Sequence, residues 1–259
     1  MIRAITGFLV AVVLLAPPVW AQRAADPMLI RAAVLRVDAQ TLRPISRLEL
    51  PTADLGFAGA RLAIEDNDTT GRFMGQDFEA QEVATGPDGA NAALDSLIGA
   101  GIAFIVVLAD DQTTLALADR AGDRATILNA RARGDALRGA DCRANIIHVA
   151  PSHAMIADAL AQFLMWKNWP RWFLVEGSHP ADTDLADAYR RAASKFGAKI
   201  VETRVYEDTG GARRTDSGHV QVQKQMPVFT QRAPAYDVMI AADDSDVFAP
   251  YLPYQTWDP

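Results

Sequence analysis

The chain has little cysteine and little histidine: one cysteine and four histidines in 259 residues. A single cysteine excludes an internal disulfide and any structural zinc site built from cysteine pairs. The spacing of Cys142, His148 and His153 matches no zinc-ligand pattern. A free thiol in an exported protein is usually buried, so we expect Cys142 to be a buried side chain rather than a nucleophile.

Two phosphate-binding patterns are also missing. No G-x-x-x-x-G-K-[ST] loop occurs, and no G-x-G-x-x-G follows a predicted strand, which argues against ATP or dinucleotide chemistry. The formal net charge of −7 at pH 7 argues against nucleic acid as a partner. The run Asp66–Gly71 resembles a calcium loop, but no second helix follows it. We interpret it as a helix that ends at Gly71.

No catalytic constellation is evident. Ser152 precedes His153 directly, but sequence neighbours at a helix start diverge in space, and Ser152 lacks the G-x-S-x-G setting of a nucleophile. His148 lies inside a predicted strand and is interpreted as a packed or hydrogen-bonded residue. We therefore expect neither an enzyme nor a required cofactor or metal.

The first 21 residues have the pattern of a secretory signal peptide. Arg3 provides the positive charge, residues 7–16 form the apolar segment, and Val19–Ala21 offers a cleavage site. Gln22, rather than cysteine, follows that site, so the pattern is not that of a lipoprotein. The sequence predicts export to the periplasm as a soluble protein.

Beyond the signal peptide, short apolar runs alternate with helical patterns, which is typical of parallel α/β sheets. We predict a first lobe over residues 28–144. Its run at residues 102–109 is almost entirely apolar, as a central strand covered on both faces should be. The predicted strands of this lobe cover 29–37, 78–84, 102–109 and 125–130, and its helices cover 54–68, 90–101 and 111–122.

A second lobe is predicted over residues 145–259. Ser152 is expected to cap a helix over 153–168, and Asp182 a helix over 183–196 that stops at Gly197. Residues 207–234 are predicted to be a loop. The last predicted strand, 236–242, has no helix after it, so we expect this lobe to be incomplete. Its other predicted strands cover 145–150, 171–177 and 199–206. The predicted fold is α/β, with two doubly wound parallel-sheet lobes.

Polar residues cluster where the predicted strands end. In open parallel sheets, ligands bind beyond the carboxyl ends of the strands. Arg131 and Arg133 suit bidentate contacts to carboxylates, although any one of these residues is about as well explained as part of a solvated loop. Trp166, Trp169 and Trp172 either stack on a planar ligand or close the end of one helix and begin the next strand. The candidate ligand-binding residues are Asp110, Asp111, Asn129, Arg131, Arg133, Ser152, His179, Asp182, Asp243 and Asp244.

Two long stretches carry a resemblance to a known family. HVAPSHAMIADALAQFLMWKNW and LAIEDNDTTGRFMGQDFEA resemble the type I periplasmic solute-binding proteins, of the Leu/Ile/Val-binding class. The first resembles the inter-lobe crossing of that class and the helix after it. The resemblance covers residues 28–259 and implies a small ligand bound between two lobes and an ABC permease as partner.

A narrower resemblance is carried by LRGADCRANIIHVAPSHAM, ADALAQFL, FLVEG and YLPYQTWDP. These are similar to ABC-transporter substrate-binding proteins associated with pyrroloquinoline quinone (PQQ)-dependent alcohol dehydrogenase systems. In that family the chain continues past WDP. The resemblance implies PQQ, or a related acidic compound, as ligand, and a PQQ-dependent dehydrogenase as a further partner.

Two alternatives stay open at this point: a periplasmic amino-acid- or amide-binding protein, and a sensing accessory protein of the dehydrogenase. The chain departs from amino-acid binders, which carry small and hydroxyl residues after the third and fourth strands. Here those positions read LADDQTT (108–114) and LNARARGDAL (128–137). Asp110 and Asp111 would repel a carboxylate, whereas Arg131 and Arg133 would attract one.

Overall fold

A computed structural model describes residues 26–38, 52–207, 229–250 and 252. A first sheet contains five parallel strands in the order β2-β1-β3-β4-β5. Its members are β1 (Met28–Val37), β2 (Gln76–Thr85), β3 (Phe104–Leu108), β4 (Thr126–Asn129) and β5 (Ile146–His148). The reversal of strand order between β1 and β3 is that of a doubly wound sheet, so the predicted fold of the first lobe is confirmed.

Helices follow β1, β2 and β3 within this first unit. Side chains on β1, β3 and β4 that are fully buried, such as Leu35, Ile105 and Ile127, pack with Leu94 and Leu117 from two of the helices. The apolar runs of the sequence are therefore the strands and helix faces of one continuous core. The helices are α1 (Phe57–Met74), α2 (Ala90–Gly99) and α3 (Asp111–Ala121).

A second sheet contains three parallel strands in the order β7-β6-β8. Its strands are β6 (Arg171–Gly177), β7 (Lys199–Tyr206) and β8 (Val238–Ala242), and its helices are α4 (His153–Trp166) and α5 (Pro180–Phe196). Trp172, Leu174 and Ala192 are buried between the sheet and these helices. The predicted second α/β unit is confirmed.

One predicted strand belongs to the other sheet. We placed residues 145–150 at the start of the second lobe, but β5 pairs with β4, with Ile127 opposite Ile146. The N–H of Ile127 donates to the carbonyl oxygen of Asn145 at 2.8 Å, and Ile146 is buried beside the first core. The chain therefore passes from the first sheet to the second after His148 rather than before it.

Helix α1 extends past its predicted end at Gly71. It ends at Gly75, which has a φ of 67° and so adopts the left-handed conformation common after helices. Gly71 has a different role, because a Cβ there would lie 2.8 Å from the Phe78 ring. Asp68, in the rejected calcium run, accepts a hydrogen bond from the N–H of Phe78 at 3.1 Å.

Among the described residues, no cluster of histidine, cysteine, aspartate or glutamate has an arrangement that could hold a metal ion. In the same part of the chain, no helix is both long and apolar enough for a membrane span. The signal peptide predicted over 1–21 lies outside the described residues, and so do residues 208–228 of the predicted loop.

The predicted cap of α4 is confirmed, and that of α5 is wrong. Ser152 accepts a hydrogen bond from the N–H of Met155 at 3.3 Å, as an N-cap should. Helix α5 begins three residues earlier than predicted, with His179 as its N-cap, because Pro180 suits the first helical position. Asp182 is the third residue of the helix, and its carboxylate reaches back to the N–H of His179 at 3.2 Å.

Gly177, at the end of β6, allows a close approach that a side chain would block. A Cβ there would lie 2.1 Å from a carboxylate oxygen of Asp182, and Asp182 is fully buried and held by hydrogen bonds. We expect Gly177→Ala to lower the free energy of unfolding by about 1–3 kcal/mol, as overpacking does. Urea denaturation followed by circular dichroism measures this change.

Gly99→Ala is the matched control, because a Cβ at that helical position meets nothing within 4 Å. It should raise the free energy of unfolding by about 0.5 kcal/mol, since alanine restricts the unfolded chain. Equal effects of the two substitutions would contradict the predicted clash at Gly177.

Candidate functional site

The loops that follow β3, β4, β6 and β8 contact one another near the crossing between the two units. Several predicted site residues hold these loops in place. Asp110 caps α3, accepting a hydrogen bond from the N–H of Thr113 at 2.7 Å. Asn129 is fully buried. Its side-chain oxygen accepts from the N–H groups of Arg131 (3.1 Å) and Ala132 (2.8 Å), and its amide donates to the carbonyl oxygen of Ala132. Both side chains therefore set the shape of the loops after β3 and β4.

Asp182 and Asp243 fasten the loop after β8. Asp182 accepts hydrogen bonds at 2.8 Å from both the N–H and the hydroxyl of Ser245. Asp243 binds the next turn of the chain through three backbone donors. These are the N–H groups of Val247 (2.8 Å), Phe248 (2.8 Å) and Ala249 (2.7 Å). The carboxylates of Asp182 and Asp243, both predicted site residues, are thus occupied by hydrogen bonds to residues 245–249 of the protein itself.

Asp135 connects the two units. Its carboxylate accepts a hydrogen bond from the N–H of Ala154 at 3.1 Å, at the start of α4. It also forms an ion pair with Arg191 of α5 at 3.3 Å. Partial burial raises the pKa of Asp135, but the Ser152 hydroxyl, the Ala154 N–H and the Arg191 guanidinium outweigh it and hold the pKa below its ordinary value. The carboxylate is therefore the stable form at neutral pH.

Asp244 makes a second connection, between the loop after β8 and the loop after β4. Its Oδ1 lies 3.3 Å from His153 Nε2 and 3.8 Å from Arg133 Nη1. The hydrogen bond with His153 lowers the pKa of Asp244 against the effect of burial, and the positive charges of Arg133 and Arg131 lower it further. His153 is 97% buried by this arrangement, and its Nδ1 has no hydrogen-bond partner.

A cleft of about 400 Å³ lies between the first unit and α5. Asp111 forms part of its rim, with one oxygen accepting from the N–H of Gly134 at 3.1 Å. Gly134 permits this approach, because a Cβ there would lie 2.0 Å from the other oxygen of Asp111. Five of the six charged residues that line the cleft are aspartates. The lining consists of Asp111, Gln112, Leu115, Gly134, Asp135, Ala136, Leu137, Asp141, Asp184, Asp187, Ala188 and Arg191.

The structure brings some predicted residues together and separates others. Arg133 meets Asp244, and Arg131 lies close enough to lower the pKa of Asp244. Asp111 instead lines the acidic cleft, and His179 is the N-cap of α5. Asp135, His153 and Arg191 are not among the site residues predicted from the sequence. Asp135 could have been found from its place in the loop of Arg131 and Arg133. Nothing in the sequence marks which face of α5 carries Arg191 toward the first unit.

The three tryptophans considered for ligand stacking differ in their surroundings: Trp172 is buried, whereas Trp166 and Trp169 are exposed. The ring N–H of Trp172 donates to the carbonyl oxygen of Trp169 at 2.8 Å, which ties the end of α4 to β6. Trp166 ends α4, whereas Ser152 and His153 begin it. Thirteen helical steps lie between His153 and Trp166, so the two ends are roughly 20 Å apart. Cys142, expected to be buried, is exposed in the loop before β5.

The Asp135 contacts predict a pH-dependent stability. Because the folded-state pKa is lowered, the carboxylate stabilises the fold at pH values above its unfolded pKa, and this contribution is lost as the pH falls through the folded pKa. Asp135→Asn should lower the free energy of unfolding at pH 7 by about 1 kcal/mol, a figure reduced for the partial exposure of the carboxylate. The difference from the wild type should shrink toward pH 3.

Urea denaturation at pH 7, 5 and 3 measures this dependence. Asp141→Asn is the control, since Asp141 lines the same cleft and has no hydrogen bond or ion pair comparable with those of Asp135. If Asp135→Asn lowers the free energy of unfolding equally at pH 7 and pH 3, the stabilising role of the ionised Asp135 carboxylate is contradicted.

Comparison with solved structures shows similar folds. A substrate-binding protein of an ABC transporter from Desulfitobacterium hafniense, in complex with Leu, matches with a TM-score of 0.61 and 17% identity, over 82% of this chain and 66% of that one. A leucine-, isoleucine-, valine-, threonine- and alanine-binding protein from Brucella ovis, in its closed conformation, matches with a TM-score of 0.64 and 16% identity, over 90% and 59%. A solute-binding protein from R. palustris, in complex with benzoate, matches with a TM-score of 0.56 and 13% identity, over 82% and 54%.

The chain thus spans less than two thirds of the length of each of these structures. They are binding proteins rather than enzymes, which agrees with the expectation from the sequence. No curated protein matches the chain. The family model described as periplasmic binding protein matches residues 51–216, more than half of the sequence, and it implies a periplasmic location. The chain therefore belongs to the periplasmic binding protein family.

Proposed function

We propose that this chain is the solute-binding component of an ABC uptake system and binds a small carboxylate-bearing ligand between its two units. The observation that carries the proposal is the meeting of the two parallel-sheet units at their carboxyl-end loops, with Arg133 and Asp244 in contact across them. Ligands of open parallel sheets bind at this edge. A permease in the inner membrane would be the partner that receives the ligand.

The side chains at this edge favour a carboxylate. Arg131 and Arg133 are exposed, and Arg133 contacts Asp244 only at 3.8 Å, so neither guanidinium is closed into a tight pair. Arginine forms strong, paired hydrogen bonds with carboxylates. Leucine and benzoate, present in two of the similar structures, both carry a carboxylate.

The acidic cleft favours an amino acid as the second candidate ligand. Asp111 and Asp135 lie on the cleft side of the same edge, and Asp184 and Asp187 face them from α5. An ammonium group near these aspartates and a carboxylate near Arg131 would match the charges of a zwitterion.

PQQ is the most narrowly defined candidate ligand, and it is supported by the resemblance in sequence rather than by the similar structures. It is a planar tricarboxylate, which suits the two arginines, and the resemblance to binding proteins of PQQ-dependent systems points to it. Its aromatic stacking would need another partner than Trp166 or Trp169, which lie at the far end of α4. A role in sensing PQQ for a dehydrogenase uses the same binding step and differs only in the partner.

Calorimetric titration of the exported protein with leucine, benzoate and PQQ tests the proposal. We expect saturable binding of at least one. Arg133→Gln should weaken that binding about tenfold, the equivalent of one lost charge-assisted hydrogen bond.

Arg143→Gln is the matched control, because Arg143 pairs with Asp119 at 2.5 Å on another part of the surface. It should bind as the wild type does. The proposal is wrong if none of the three compounds binds, or if Arg133→Gln and Arg143→Gln bind equally well.

A further inference from the structure

Of the three described aspartates that follow β8 (Asp243, Asp244 and Asp246), Asp244 contacts the other side of the crossing. Its partners are Arg133, in the loop after β4, and His153, the first residue of α4. Those two partners are themselves joined, since the N–H of His153 donates to the carbonyl oxygen of Arg133 at 2.9 Å. Arg133 and His153 thus form one corner, and the carboxylate of Asp244 enters it from the second sheet.

The chain on both sides of Asp244 is fixed. Asp243 accepts hydrogen bonds from the N–H groups of Val247, Phe248 and Ala249, and Ser245 binds the buried carboxylate of Asp182 through both its N–H and its hydroxyl. The Asp244 carboxylate, 30% exposed, is therefore presented at a defined position.

The corner has the donors that a ligand carboxylate would need. His153 is 97% buried and directs Nε2 at Asp244 Oδ1, while its Nδ1 has no partner. Arg133 is half exposed and can form shorter hydrogen bonds than its present 3.8 Å contact. Two carboxylates would repel each other in this space, so a ligand carboxylate and Asp244 would exclude one another.

We infer that Asp244 is an internal carboxylate that occupies the Arg133–His153 corner while the site is empty, holds the two units together, and is displaced by the carboxylate of the ligand. The displacement rests on the proposed function, whereas the contact between the units does not. Asp244 would then set the affinity for carboxylates without being a residue that binds them.

Benzoate affinity in the exported protein, measured by calorimetry, tests the displacement. Asp244→Asn keeps the size of the side chain and removes its charge, so benzoate should bind roughly three- to tenfold more tightly. Asp246→Asn is the matched control. It removes the same charge from an exposed position in the same loop, and it should leave the affinity unchanged. Equal or weaker binding to Asp244→Asn than to Asp246→Asn would overturn the displacement.

The distance between the units, measured without ligand, tests the contact. Spin labels on the exposed Cys142 and on Thr203→Cys, an exposed position of β7, report it through electron–electron dipolar coupling. Asp244→Asn should broaden the distance distribution toward longer values, and Asp246→Asn should not. Identical distance distributions in the wild type and Asp244→Asn would overturn the claim that Asp244 holds the two units together.

The two measurements separate the inference from the proposed function. If benzoate binds no variant while Asp244→Asn broadens the distances, the displacement by benzoate is wrong and the contact between the units stands. If benzoate binds the wild type and Asp244→Asn equally and the distances do not change, the inference is wrong and the proposed function stands.

Discussion

The Asp135 carboxylate makes a side-chain connection between the two units that positions the loop after β4. It accepts a hydrogen bond from the N–H of Ala154, at the start of α4, and forms an ion pair with the guanidinium of Arg191 of α5. The first N–H groups of α4 have no partner within the helix, and a carboxylate there also meets the positive end of the helix dipole. The loop that carries Asp135 also carries Arg131 and Arg133. The hydrogen bond between Asp135 and Ala154 therefore helps to fix the position of these arginines relative to α4. The same loop lines the cleft and carries the Arg133 side chain that contacts Asp244.

Local patterns in the sequence were sufficient to predict most of the helices and strands. β7 was predicted at its observed bounds, Ser152 caps α4, and Gly197 ends α5 in the left-handed conformation. Each of these depends on a few neighbouring residues. The sheet to which β5 belongs could not be predicted in this way, because three residues of strand do not reveal whether their partner is β4 or β6. Pairing between strands is a property of the packed core.

The rule for parallel sheets predicts where a ligand site should lie, and that place stays a prediction; the hydrogen-bonding role of each side chain there could not be predicted. Asp110 and Asp243 bind backbone N–H groups, whereas Asp244, next to Asp243, contacts a histidine and an arginine from elsewhere in the chain. All three are aspartates at the end of a strand, and the residue type alone allows either role. Only the position of the neighbouring backbone distinguishes a carboxylate that fastens its own loop from one that reaches another element.

Under the proposed function, the distribution of charge restricts the ligand more than the shape of the cleft does. Arg191 is paired with Asp135, and Asp187 is paired with Arg190 at 2.8 Å. The excess negative charge of the lining therefore lies at Asp111, Asp141 and Asp184. Two like charges 5 Å apart near a protein surface repel by about 3 kcal/mol. A ligand with one carboxylate can place it beside Arg131 and Arg133 and turn an uncharged or positive part toward the aspartates. A tricarboxylate such as PQQ can also direct a carboxylate to these arginines, but it would bring its other carboxylates toward the aspartates unless it stays outside the cleft. Within the proposed function, the charges therefore favour a monocarboxylate or a zwitterion over PQQ.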